Sequence, residues 1–349
     1  MPDSRADFET LAWRSLAIAA AVVASLAALL ALLWNDRVEL DRLGLETADT
    51  APRPGAVSLT WFGVSTLLFD DGETQILVDG YFSRPKVTDI VFDRPVDNDA
   101  ATINYVLHEY RMRRLAAIIP AHTHYDHAMD IGAIANRSKA SILGSISTAN
   151  VARGAGVPED QIVVVEPTAN EFTFGQFTVR LIETPHAPFG WRGSVPFDGV
   201  VAEPLAMPAA VSAWREGGCY SIVISHPQGT AIVQGSAGFT DGALDDVEAD
   251  VVLLGVAMLD GLGRDYAERY WQALVTATGA RQVIPIHFDD VTRPFGDIRS
   301  PPKIIDNFGR TAAWLEAFRQ RWDQDTEIVL PPFGRAIMLY PSPEETPEA

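Results

Sequence analysis

Between residues 57 and 340 the chain alternates short apolar runs with amphipathic stretches. "VSLTWFGVSTLLFDDGETQILVDG" gives two strand-like runs around "DDGE", a hairpin signal. Residues 83–100 are polar with Asp and Pro and read as a loop, and 101–114 as a helix. "LAAIIPA" is a short apolar run of the kind a buried strand shows, followed by a helical "AMDIGAIANRSKA" and a strand "SILG". The pattern then repeats. "EFTFGQFTVRLIETP" predicts two strands, "CYSIVISHPQGTAIVQG" a hairpin turning at "HPQG", and "ADVVLLGVA" a strand. "RDYAERYWQALVTATGA" reads as a helix capped at Gly279, "RQVIPI" as a strand, and "IIDNFGRTAAWLEAFRQRWD" as a helix with a core-facing aromatic stripe. "TEIVLPPFGRAIMLY" closes with strands. Strands and helices alternating in two similar halves place the chain in the α/β class, with layered sheets and helices.

The N-terminus breaks this rhythm. From Leu16 to Trp34 only Ser25 interrupts the apolar run. A helix over this span is about 28 Å long, close to the hydrocarbon thickness of a bilayer. Trp13 and Trp34 bracket it as interfacial anchors do. A cleaved signal peptide is the rival reading, but "LLWNDR" offers no small-x-small cleavage site near the end of the segment. The expected organisation is a tail at 1–15, a single transmembrane anchor at 16–34, and a linker at 35–56. A folded domain at 57–340 and a disordered acidic tail at 341–349 complete it. Arg5 and Arg14 before the span nearly balance Arg37 and Arg42 after it, so the positive-inside rule specifies orientation weakly. A short N-terminal tail before a large domain favours an extracytoplasmic, periplasmic-type placement of that domain.

Composition narrows the function. The net charge is −19, with acids spread along the chain. No basic footprint for nucleic acid or anionic lipid is present, and the surface reads as simply acidic. Cys219 is the only cysteine, which excludes an internal disulfide and any multi-cysteine metal site.

The chemistry concentrates in "IIPAHTHYDHAMD". His122, His124 and His127 fall within six residues, with Asp126 among them. Crowding four polar groups without a cation would desolvate them with little compensation, whereas imidazole and carboxylate together suit Zn²⁺ and similar borderline metals. The runs "IIPAH", "LIETPH" and "VIPIH" each end an apolar strand in a histidine (His122, His186 and His287), and "TQILVD" does the same for Asp79. Strand ends along one sheet edge can converge on a site. His108 and His226 read as ordinary hydrogen-bonded structural residues.

His122-x-His124-x-Asp126-His127, with His186 and His287 after it and Asp79 before it, resembles the metallo-β-lactamase fold superfamily over about residues 57–340. "LTWFGVSTLLFDDGETQILVDGYFS" and "LIETPHA" further resemble the branch containing ascorbate-phosphate lactonases and the phospholipases D acting on N-acyl phosphatidylethanolamine. The resemblance implies an αββα sandwich with metals at one edge. It implies one site of His122, His124 and His186 and a second of Asp126, His127 and His287. Asp79 would support the metal loop through hydrogen bonds. The implied cofactor is one or two Zn²⁺, with another divalent metal as the alternative.

One position departs from the family pattern. Where most hydrolases of the superfamily carry a metal-bridging aspartate, "TAIVQGSAGFTDG" places Ser236. Either the second site weakens, or two metals remain without a carboxylate bridge; Asp241, five residues on, is the nearest substitute. The function implied is a membrane-anchored hydrolase that uses metal-activated hydroxide on an ester, lactone or phosphodiester of a small or lipid-like molecule. Asp126 would orient or deprotonate the water. The alternative is a metal-binding scaffold or sensor with little turnover, which Ser236 favours; an iron-dependent redox or sulfur-transfer role is a third reading. The irregular stretch 187–217 comes directly after His186 and reads as a lid or pocket wall, with Phe189, Trp191 and Arg192 as candidate substrate contacts.

Overall fold

The computed structural model describes residues 4–340; the tail expected at 341–349 lies outside the described residues. Among these residues two sheets stack. The first has seven strands in the order Ile337–Met338, Ser58–Trp61, Leu67–Asp70, Gln75–Val78, Leu115–Ile119, Ser141–Gly144, Ile162–Val164. The second has eight, in the order Glu46–Thr47, Glu327–Leu330, Gln282–Ile286, Val251–Gly255, Gly229–Gln234, Cys219–His226, Phe177–Thr184, Glu171–Phe174.

Alternation along the strands explains the layering. Leu67, Phe69, Ile76, Val78 and Ile119 point into the core between the sheets. Their neighbours Leu68, Leu77 and Ile118 join a second core with Ile103, Ile134 and Val151, from helices Ala100–Glu109, Ile131–Ser138 and Ile146–Gly154. Helices Arg264–Trp271 and Phe308–Trp322 bury Tyr270, Trp271, Leu315 and Phe318 with the second sheet. Each such large apolar side chain contributes about 1.5–3 kcal/mol on burial. The result is a mixed α/β sandwich.

Three helices start where sequence supplies a cap. Asp99 accepts from the backbone N–H groups of Ala101 and Thr102, Ser145 from Thr148, and Asn307 from Arg310. The helix expected to run unbroken to Gly279 is regular only to Trp271; a π-helical turn, Gln272–Thr276, comes next, and Gly279 lies in the left-handed region at φ +66°. Helix Ile146–Gly154 and strand Ile162–Val164 carry no clear periodicity, and the sequence pattern passes over them.

At the N-terminus one helix runs from Ser4 to Asn35, so it continues through much of the expected tail. Its stretch Trp13–Asn35 has 23 residues with a mean hydropathy of 2.7 and is unburied, long and apolar enough to cross a membrane. Residues 35–56, read as a linker, are bound along the domain. Glu46 and Thr47 pair in parallel with Val329 and Leu330, and Arg37 bridges to Pro302.

Candidate metal centre

The site lies along one edge, where strands of both sheets end. Pro120 stops strand Leu115–Ile119 because it has no N–H to offer the ladder. The chain then turns through His122 and His124 into a helical turn, Tyr125–Ala128, that carries Asp126 and His127. His186 comes after strand Phe177–Thr184, and His287 after Gln282–Ile286. Asp79 and His287 both leave their strands in the left-handed region, at φ +58° and +60°. Such backbone is costly for residues other than glycine and is held by its surroundings. Here Asp79 N–H donates to Ile119 O at 3.0 Å and His287 N–H to Val64 O at 2.8 Å.

These turns gather two donor trios. His122, His124 and His186 form one, and Asp126, His127 and His287 the other; within each, the ligand atoms lie within 4.8 Å of one another. Among the described residues they are the groups of three or more such side chains able to hold a metal ion. Asp126 Oδ2 lies 3.5 Å from His287 Nε2 and 3.9 Å from His127 Nε2.

The hydrogen bonds around the rings fix which nitrogen is free. His124 Nε2 donates to Pro196 O at 2.9 Å, and His186 Nδ1 donates to Ala187 O at 2.9 Å. The unprotonated Nδ1 of His124 therefore accepts from Nε2 of His122 at 3.0 Å, while Nδ1 of His122 is buried without a partner. Neutral imidazoles so placed share one hydrogen bond between two potential ligand nitrogens, and a shared cation would engage both. Burial, reinforced by the other imidazoles, pushes His122 well below the ordinary histidine value and His186 down to about 3. Burial also takes His124 down to about 4, and the nearby Asp126 only partly offsets it. All three are thus neutral at pH 7, the form that ligates. The donor set fits a divalent metal in both trios.

Asp79 is fully buried and holds the loop. Its Oδ1 accepts from Ala121 N–H at 2.7 Å; its Oδ2 accepts from Ser65 Oγ at 2.5 Å and from His127 Nδ1 at 2.7 Å. That leaves His127 Nε2 for the site. Burial alone would lower the His127 pKa, but Asp79 and then Asp126 more than offset it, and it ends above its ordinary value.

Ser236 sits in the cavity wall, and its Oγ accepts from Ala187 N–H at 3.0 Å, beside His186. Asp241 does not replace a bridging acid: it is exposed and reaches Arg269 at 3.5 Å. Gly235 is required at its place, because a Cβ there would stand 2.6 Å from that of Ala121 and 3.7 Å from the His127 ring.

A cavity of about 410 Å³ opens over the trios, within the range of small-molecule sites. Phe189 forms part of its wall, with its ring 5.4 Å from that of His186. Trp191 and Arg192 lie outside it. The turn closed by Gly190 N–H to Ser194 O carries them over the surface, where Arg192 stacks on a Trp191 that is 82% exposed. The rest of stretch 187–217 mainly covers the helix-side core through Phe197, Leu205, Met207 and Trp214. It also braces the metal loop, since Thr123 donates to Glu216 O and Arg215 O. His108 is exposed on its helix, and His226 is buried 3.6 Å from Asp71, away from the trios. A larger open cleft of about 1720 Å³ lies elsewhere, lined by side chains of mixed charge such as Arg42, Asp250, Arg281 and Glu316, and contains no histidine.

Several supporting residues escaped the sequence reading. Ser65 bonds both Asp79 and His127. Asp130 is buried and accepts from Phe82 N–H, Ser83 N–H, Ser83 Oγ and Asn98 Nδ2, which pins the chain just after Asp79. Asp289 accepts from Val64 N–H at 2.7 Å and lies 3.8 Å from the buried Arg84. The only advance signal for Asp130 was its closeness to the histidine motif.

Asp306, in the cavity wall, accepts from Met258 N–H at 2.9 Å. Burial, with Asp260 beside it, raises its carboxyl from 3.8 to about 7. Between these values the folded state binds more protons than the unfolded one, so stability falls as pH rises. Asp306→Asn removes this dependence. Its advantage over wild type in urea unfolding is expected to grow by roughly 2–4 kcal/mol from pH 4 to 7 and then level. An advantage that is flat with pH would show that Asp306 ionises normally.

No protein-family model matches the chain. A curated relative from Heliobacterium modesticaldum, described as a UPF0173 metal-dependent hydrolase, is 29% identical over 128 residues, covering 37% of this chain and 44% of that protein. A second relative so described, from Pyrobaculum aerophilum, is 24% identical over 243 residues, covering 67% of this chain and 84% of that protein. The match thus spans less than half of the first relative's length. Among solved structures, a possible metal-dependent hydrolase from Veillonella parvula aligns with a TM-score of 0.50 at 16% identity, over 81% of this chain and 100% of that one. A protein from Bacillus subtilis described as having the metallo-β-lactamase fold aligns at 0.49 and 15% identity, over 81% of this chain and 98% of that one.

Proposed function

We propose that this chain, a mixed α/β sandwich with two complete donor trios at one edge, has the metallo-β-lactamase fold its histidine motif resembles and is a membrane-anchored, metal-dependent hydrolase of an ester, lactone or phosphodiester. The observation that carries the reading is the pair of trios, each with its ligand atoms within 4.8 Å. His122, His124 and His186 would hold one divalent cation, and Asp126, His127 and His287 a second; Zn²⁺ suits both sets. When bound, the metal supplies Lewis acidity and lowers the pKa of water from about 15.7 towards 7. Asp126 would orient that water and accept its proton. Burial would raise its carboxyl, but His127 and His287 together hold it well below the ordinary range, so it stays ionised. Phe189 and the apolar wall exclude bulk water and seat the non-reacting part of the substrate. Ser236 holds the backbone after His186 and offers a hydroxyl rather than a carboxylate at the cavity wall.

The residues just beyond the helix support the anchor. Asp36, Arg37 and Val38 are bonded to Lys303, Asp290 and Ser300 of the domain. They tie the end of the helix to the domain beside the cavity, as a retained span would need.

Metal analysis of the full-length chain in detergent tests the reading. Wild type is expected to hold two zinc per chain, and Ser236→Asp the same number with slower loss to a chelator. Hydrolysis of p-nitrophenyl esters or bis(p-nitrophenyl) phosphate should vanish on chelation and return with Zn²⁺. Two zinc without turnover on either substrate class would favour a binding scaffold, and no zinc after repletion would sink both.

A further inference from the structure

Trp34 is the last apolar residue of the N-terminal span, and it is also a wall of the cavity over the trios. Around it the lip is built from Val87, Val91, Pro301, Pro302 and Ile305. The lip is apolar and open to solvent: Val91 is 69% exposed, its neighbour Phe92 66%, Ile304 49%, Ile305 48% and Trp34 41%. Exposed apolar surface gathered at one place marks an interaction site rather than ordinary scatter.

The attachment of the helix is built for this placement. Arg37 Nη1 binds Asp290 Oδ2 at 2.7 Å and Ser300 O at 2.5 Å, and Val38 N–H donates to Ser300 Oγ at 2.9 Å. Lys303 N–H donates to Asp36 O at 2.8 Å, and its Nζ reaches Asp36 Oδ1 at 2.7 Å. The segment carrying the lip residues 301–305 is therefore tied to the first residues beyond the span.

We infer that the mouth of the cavity docks on the phospholipid bilayer in which the N-terminal helix is embedded, and that amphiphilic substrate enters from the membrane with its polar end towards the trios. The inference rests on the proposed membrane anchor. Given that anchor, Trp34 stands at the boundary between membrane and water, and a cavity walled by Trp34 opens within a side chain's length of that boundary. Val91, Phe92, Ile304 and Ile305 then enter the headgroup region as an interfacial patch does. The occupant is lipid rather than a protein partner because the patch is continuous with a membrane span. The net charge of −19 leaves docking to apolar burial, so neutral phosphatidylcholine suffices.

Cys219 is the single cysteine and is buried, so a thiol introduced on the surface is labelled selectively. Full-length Phe92→Cys and Ile304→Cys, and Glu73→Cys in the hairpin at the opposite sheet edge, would carry an environment-sensitive fluorophore. They would be reconstituted in phosphatidylcholine vesicles with and without phosphatidylcholine bearing a doxyl quencher near the headgroup. Both lip labels are expected to lose about twofold or more of their emission to the quencher, and the Glu73→Cys label none. Co-flotation with the vesicles but no lip quenching would leave the anchor standing and overturn the docking. Lip labels shielded from aqueous iodide yet untouched by the lipid quencher would mean a protein or a second copy covers the patch, and would also overturn it. Failure to co-float would remove the anchor and the inference together. For delivery, Phe92→Asp with Ile304→Asp is expected to slow hydrolysis of a long-chain ester presented in vesicles about tenfold, with a short water-soluble ester unaffected. Equal effects on both would overturn entry from the membrane while leaving the hydrolase reading intact.

Discussion

Asp126→Asn is expected to lower hydrolytic kcat/KM by on the order of 10²–10⁴, the range for losing a positioned general base, with the circular dichroism spectrum unchanged. The side chain sits on a short helical turn, and its Oδ2 faces His287 Nε2 at 3.5 Å. Asparagine keeps the shape but removes the charge. It removes one donor of the second trio and leaves the trio of His122, His124 and His186 complete. Metal content is therefore expected to fall by about one ion per chain, the ligand count deciding which site empties. His186→Ala should empty the other site instead. If Asp126→Asn kept activity within about tenfold, the carboxylate would be neither base nor essential ligand. The Ser236 position sharpens this test. Asp241 is not placed to take over, since it is exposed and faces Arg269.

The metal loop was legible because its chemistry is local. Three histidines and an aspartate in six residues have few other uses, and the strand-end positions of His186 and His287 come from short apolar runs that stop at those residues. The strands themselves were legible from their runs and turns, including the hairpin at "HPQG". What the sequence hid is set by contacts between distant segments. Trp191 and Arg192 were expected in the pocket because they come soon after His186, but a tight turn at Gly190 aims them outward. The apolar residues beyond them answer to the helix-side core, which their spacing alone does not reveal. Trp34 read only as a membrane anchor; its second role, as a cavity wall, depends on Arg37 meeting Asp290, 253 residues away. Ser65 and Asp130 matter through side-chain bonds to Asp79 and to the backbone of Phe82 and Ser83, and no residue pattern announces such bonds. Residues 35–56 carry linker composition yet add a strand to a sheet edge, because backbone pairing there needs no particular side chains.

Asp79→Ala is expected to be the most damaging single change to stability near the site. It leaves three buried donors without their acceptor: Ala121 N–H, His127 Nδ1–H and the Ser65 hydroxyl. At about 1–3 kcal/mol for each unsatisfied group, the loss is roughly 3–9 kcal/mol, against a total stability of about 5–15 kcal/mol for a folded domain. It also puts alanine at φ +58°, where only a few residue types are comfortable. Asp79→Asn separates the two causes, because asparagine tolerates that backbone and keeps one acceptor oxygen. The asparagine variant should lose about 1–3 kcal/mol in denaturant unfolding of the metal-free protein, and the alanine variant clearly more. Both should weaken zinc at the Asp126, His127 and His287 trio by about 10–100-fold in a competition titration, because the His127 ring loses the partner that holds its orientation. Zinc at the three-histidine trio should be less affected, since its rings are oriented by Pro196 O and Ala187 O. Wild-type stability and wild-type zinc affinity in both variants would mean that Ser65 holds the His127 ring by itself, and that the left-handed turn at residue 79 is maintained by the backbone bond to Ile119.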